Sequence, residues 1–172
     1  MPLKKDRGAK TETLSLRMDP KTKFILEFVA RINGQTLTTV VERAIRSSCD
    51  EVRIGASPGY HGFNWRHFWH PEEGVRTLNL LANYTYPSTY DEDELQRFTT
   101  EHWEFFYINA TAQQPRSSYV QILWPKIEEY QRTWIKHRES DYWAAGKAMA
   151  ADLSAAQITP PTWPRQSNEI PF

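Results

Sequence analysis

The sequence predicts a mainly α protein in two parts, headed by one short β-strand. Three observations carry this. Residues 11–18, TETLSLRM, alternate polar and apolar with a period of two, the mark of a half-buried strand. Residues 20–48 hold two apolar stripes at helical spacing, joined by an Asn-Gly turn. All 7 Trp and all 8 Tyr follow residue 49, set in longer stretches that also read as helices.

In the strand, Thr11, Thr13, Ser15 and Arg17 face one way, and Glu12, Leu14, Leu16 and Met18 the other. A strand needs a neighbour to satisfy its backbone N–H and C=O groups. The chain offers no equally clear second strand nearby. Asp19-Pro20 starts a helix: Asp caps free N–H groups, and Pro is tolerated in the first turn. Phe24, Ile25, Phe28, Val29 and Ile32 then fall on one helical face, and Asn33-Gly34 ends the helix with residues suited to left-handed backbone. Thr36 caps a second helix whose Leu37, Val40, Val41, Ala44 and Ile45 repeat at i, i+3, i+4, i+7 and i+8.

This unit is too small to bury its own apolar face. Two copies solve both problems. The strands of two chains can pair antiparallel about a twofold axis. The expected dimer core is then Leu14, Leu16, Met18, Phe28, Val40, Val41 and Ile45, packed over four helices.

Charge is divided along the chain. Residues 1–48 carry ten basic and five acidic side chains, a net of +5, and the remainder carries the compensating −5. A basic end on an otherwise acidic chain suits an anionic partner such as nucleic acid, or serves as a solvated surface. No apolar run approaches the roughly 18–20 residues needed to cross a bilayer. The basic start MPLKKDRGAKTE has no apolar stretch behind it, unlike a signal peptide. Cys49 is the only cysteine, which excludes an internal disulfide and a multi-cysteine metal site. The expected setting is the bacterial cytoplasm, with no membrane partner.

With LSLRMDP for strand and helix start, ARINGQTLTT for the helix junction and VVERAI for the second helix, residues 11–48 resemble a ribbon-helix-helix DNA-binding domain. That family is similar to the Arc and MetJ repressors and includes many antitoxins. The resemblance implies an intertwined homodimer on double-stranded DNA. Its two-stranded ribbon would enter the major groove and present Thr13, Ser15 and Arg17 to base edges, with Thr11 at the margin. Arg17 has the fork to bridge guanine O6 and N7. The start of the second helix, Thr36, Leu37 and Thr38, would hold a backbone phosphate. Lys4, Lys5, Arg7 and Lys10, ahead of the strand, would follow the phosphates. Each position also has a plain structural use: Arg17 as a surface arginine, Thr13 and Ser15 as solvated strand residues, Thr36 as a helix cap, and the basic arm as a solubilising tail.

Beyond residue 48 the expected organisation is a linker over 49–58, a helical aromatic-rich domain over 59–158 and a Pro-rich tail over 159–172. The spacing predicts helices from Pro71 to before Pro87, from Thr89–Asp91 through Ala110, over 117–139 with a break at Pro125, and from a Ser140 cap to about Gln157. Leu95, Phe98, His102, Phe105 and Phe106 form the expected buried face of the second of these. The tail reads as extended or disordered. This domain would strengthen the dimer, bind a protein partner or cage a ligand.

Signals for catalysis are poor. His67 and His70, with Glu73 nearby, fall short of the three or four convergent ligands a metal needs. There is no Gly-rich phosphate loop and no Gly-x-Ser-x-Gly elbow. Cys49 reads as structural or incidental. Neither enzyme activity nor a cofactor or metal is expected. The function implied is a homodimeric, sequence-specific transcription regulator, with assembly on tandem sites as an extension. The alternatives are an antitoxin that autoregulates its operon, or a plasmid partition or conjugation accessory protein.

Overall fold

The computed structural model describes residues 13–164 and is mainly α-helical. The chain divides between Trp65 and Arg66 into two compact units.

In the first unit, α1 spans Pro20–Ile32 and α2 spans Leu37–Cys49. The Asp19 carboxylate starts α1, accepting from the N–H groups of Lys21 at 2.9 Å and Thr22 at 3.1 Å. α1 ends at Asn33, and Gly34 turns the chain with φ +61°, a left-handed conformation that suits glycine. Thr36 caps α2 by accepting from the Thr39 N–H at 3.2 Å. The two helices pack together, yet Ala30 is the one fully buried residue in α1, and α2 has none. After α2 the chain forms a loop closed by isolated antiparallel bridges, Ile54 to Phe63 and Ser57 to Tyr60.

The strand expected over Thr11–Met18 is not seen. Residues 13–19 have no regular secondary structure and are exposed. A ladder needs a second run of backbone donors and acceptors, and the described residues of one chain supply none here. Thr11 and Glu12 lie outside the described residues, as do residues 1–10.

The second unit contains α4 Glu73–Leu81, α5 Tyr90–Glu101, α6 Trp103–Phe106, α7 Ser117–Leu123, α8 Ile127–His137 and α9 Ala144–Ala155. The short helix α3, Trp65–Phe68, precedes them. α9 packs on α7 and α8, and α4 on α5 and α7. Between them sits an aromatic core that includes Leu78, Phe98, Phe105, Phe106, Tyr107, Leu123, Tyr130, Met149 and Leu153. Of the expected buried face, Phe98, His102, Phe105 and Phe106 are fully buried, while Leu95 is half-buried.

Four local expectations are corrected. α4 begins at Glu73 rather than Pro71: His70 Nδ1 accepts from the Glu72 N–H at 3.1 Å and holds that approach in a turn. The helix expected through Ala110 breaks at His102 (φ −108°, ψ 38°), where the imidazole Nδ1 lies 3.0 Å from the Phe98 carbonyl, and restarts as α6. α9 begins at Ala144 rather than near Ser140. Asp141 accepts from the Trp143 N–H at 3.2 Å and pairs with Lys147 at 2.9 Å, so the turn belongs to Asp141. Finally, residues 159–164 are packed rather than loose. Tyr119 donates to the Thr159 carbonyl at 2.6 Å, and Trp163 lies edge-on to Phe105 and Trp143. A packed indole outweighs the local bias of the prolines. Residues 165–172 lie outside the described residues. The break at Pro125 is present: α7 gives way to a 3-10 turn, Trp124–Lys126, before α8.

Candidate nucleic-acid interface

The first unit holds the described candidates. Thr13, Ser15 and Arg17 stand exposed immediately before the Asp19 cap. That cap fixes where extended backbone gives way to helix: Asp19 has φ −69° and ψ 158°, and Thr22 Oγ1 donates to its second carboxylate oxygen at 2.6 Å. Only Met18 therefore separates Arg17 from a fixed helix start. Thr11, Lys4, Lys5, Arg7 and Lys10 lie outside the described residues.

The hydrogen bonds from Thr22 hold the Asp19 carboxyl below its ordinary value of 3.8. A depressed carboxyl stabilises the fold above its ordinary pKa and loses that contribution as pH falls through the depressed value. The amide resonances of Lys21 and Thr22 are therefore expected to titrate together, with a midpoint below pH 3.8. In Asp19→Asn the inflection should vanish. A midpoint at or above the ordinary value would show that the cap is not formed.

Thr36, Leu37 and Thr38 form the exposed start of α2. The Thr36 hydroxyl satisfies the Thr39 N–H, while the N–H groups of Leu37 and Thr38 have no acceptor within the helix by its geometry. Such a terminus favours an anion. Gln35 tightens the turn before it. With its amide oriented to present oxygen, it accepts from both terminal nitrogens of Arg43 at 2.9 and 3.2 Å. The remaining cations are solvated: Lys23 pairs loosely with Glu27 and Arg46 with Glu42, both at 3.8 Å.

The apolar candidates are as informative as the charged ones. In the single chain Leu14 is 74% exposed, Leu16 56%, Phe28 55% and Ile45 50%. Met18 is exposed too, and Val40 and Val41 are half-buried. Phe24, stacked on Phe28 at 6.2 Å, and Ile32 are exposed on α1 as well. So many large apolar side chains left exposed in so short a stretch are the kind of surface that marks an interface.

The described residues of the second unit add no metal-binding cluster. His70 is engaged at the turn into α4, and His67 lies edge-on to Phe68 at 5.2 Å. Among the described residues no group of three or more His, Cys, Asp or Glu is placed to hold a metal ion, and no helix is long and apolar enough to cross a membrane. One feature escaped sequence reasoning: Lys126 and Tyr130 both donate to Asp152, Lys126 at 3.0 Å, tying the 3-10 turn and α8 to α9. Tyr130 first and Lys126 second hold the Asp152 carboxyl below its ordinary range. Nothing in the spacing of 126, 130 and 152 could have shown it.

Comparison with protein-family models, with curated proteins and with solved structures gave no match for this chain.

Proposed function

We propose that the chain is a homodimeric, sequence-specific DNA-binding transcription regulator. Residues 11–18 of two copies pair as an antiparallel ribbon, and the ribbon enters the major groove of double-stranded DNA. The observation that carries this reading is the exposed apolar row of the first unit. Leu14, Leu16 and Met18 precede α1, and the exposed Phe28 and Ile45 lie on α1 and α2. A second copy would cover this row and supply the missing backbone partners of residues 13–18. Their alternation then turns Thr13, Ser15 and Arg17 to the opposite face, free to meet bases. The capped start of α2 at Thr36–Thr38 suits a phosphate on either side of the ribbon.

The test begins with selection of DNA fragments bound by the purified full-length protein, followed by affinity measurements on the selected site at fixed salt. Arg17→Ala should retain the wild-type circular dichroism and oligomeric state. It should weaken binding to that site by about 1–3 kcal/mol for each base that the guanidinium no longer reaches. Failure to select any sequence, or unchanged affinity in Arg17→Ala, would remove the groove-reading role.

A further inference from the structure

In the second unit α4, α5, the 3-10 turn and α8 line an open groove of about 910 Å³. Apolar and acidic side chains both line it. Trp124 and Ile127 lie half-buried in it, while Tyr90 and Ile135 remain 76% and 55% exposed. Around them stand Glu73, Asp91, Glu128 and Glu129. These four carboxylates have no ion-pair partner among the described residues. Each lies in the first turn of its helix, where the helix end offsets only about half a charge. Two further acids are already engaged: Glu92 in the α5 capping box, Glu94 with Arg97 at 2.8 Å. Of the two cations at the groove, Lys126 is turned to Asp152, which leaves Arg132 as the opposing charge. The groove is therefore net negative, with the apolar side chains of Tyr90 and Ile135 uncovered.

We propose that this groove docks the basic segment of residues 1–10 from a second copy of the chain. MPLKKDRGAK is the most basic ten-residue stretch of the sequence, with four cations against one Asp6. It begins with Met1 and Leu3, which suit the groove's apolar side chains, and continues with Lys4, Lys5, Arg7 and Lys10, which suit its carboxylates. The charge division of the whole chain, +5 before residue 49 and −5 after it, draws the head of one copy to the tail half of another. This docking stands without the DNA reading. Where that reading holds as well, the same lysines cannot neutralise phosphates and the groove at once, and the two events compete.

The test uses the full chain and a fluorescein-labelled peptide of residues 1–12, without DNA, followed by anisotropy. Saturable binding is expected, weakening as salt is raised. Asp91→Asn/Glu128→Gln/Glu129→Gln should weaken it about tenfold, a few-fold for each ion pair removed. Ile135→Ser, an exposed change that the fold should tolerate, should weaken it several-fold. Glu139→Gln, away from the groove, should leave it unchanged. A peptide that fails to bind the full chain, or that binds the groove variants as well as the wild type, overturns the proposal. Failure here leaves DNA selection by the same protein untouched, so the two readings fall separately.

Discussion

Leu16→Ala is expected to lower the stability of the folded protein by about 2–5 kcal/mol for each buried side chain truncated. In the single chain Leu16 is 56% exposed, and an exposed leucine truncated to alanine changes stability by only about half a kcal/mol. The two numbers separate a free monomer from a ribbon buried between copies. In wild type and variant alike the urea midpoint should rise with protein concentration, because folding and association are then one equilibrium. Sedimentation of wild type and variant at equal concentration checks the second half of the expectation. Arg17→Ala, one residue further on and on the opposite face, serves as the control and should leave both measurements unchanged. A Leu16→Ala protein with wild-type stability at every concentration would count against the shared ribbon.

Local chemistry made part of this structure legible. Asp19 and Thr36 mark helix starts because a short oxygen-bearing side chain beside an apolar stripe has few other uses. Pro125 marks a break because proline lacks the N–H that a continuous helix needs there. What stayed hidden depends on contacts distant in sequence. The strand expected at Thr11–Met18 has pattern but no partner among the described residues of the chain, and a period of two cannot make a ladder alone. His102 reads as one more position on an apolar face. Only the packed core shows its imidazole turned onto the Phe98 carbonyl and interrupting the helix. The prolines of residues 159–164 read as a loose tail, since composition reports local preference and not the indole of Trp163 against Gly146 of α9. The candidate interface was legible as residue types and order. Its apolar face was legible as one too large for so small a unit to bury, but the exposure of each residue in one chain was not, because that is a property of the fold.

That indole supports the second large effect. A Cβ added at Gly146 would stand 2.0 Å from Trp163 Cε2 and 2.1 Å from Nε1, well inside contact distance. The ring cannot yield by a few tenths of an ångström. Its Nε1 donates to the Trp143 carbonyl at 3.3 Å, and it lies 5.1–5.5 Å from the rings of Trp143, Phe105 and His102. Gly146→Ala is therefore expected to displace the indole and cost about 1–3 kcal/mol or more, although alanine alone favours a helix over glycine by about 1 kcal/mol. Trp163→Ala should cost about 3–5 kcal/mol, which caps what displacement can lose. The double variant decides the matter. With the ring gone, the three atoms nearest an alanine Cβ at 146 are gone too. Gly146→Ala/Trp163→Ala should then be no less stable than Trp163→Ala, and more stable by as much as alanine's helix preference allows. Urea unfolding of the three variants reads the cycle directly. Additive losses would mean that Gly146 and Trp163 do not meet, and that residues 159–164 do not close the core as described.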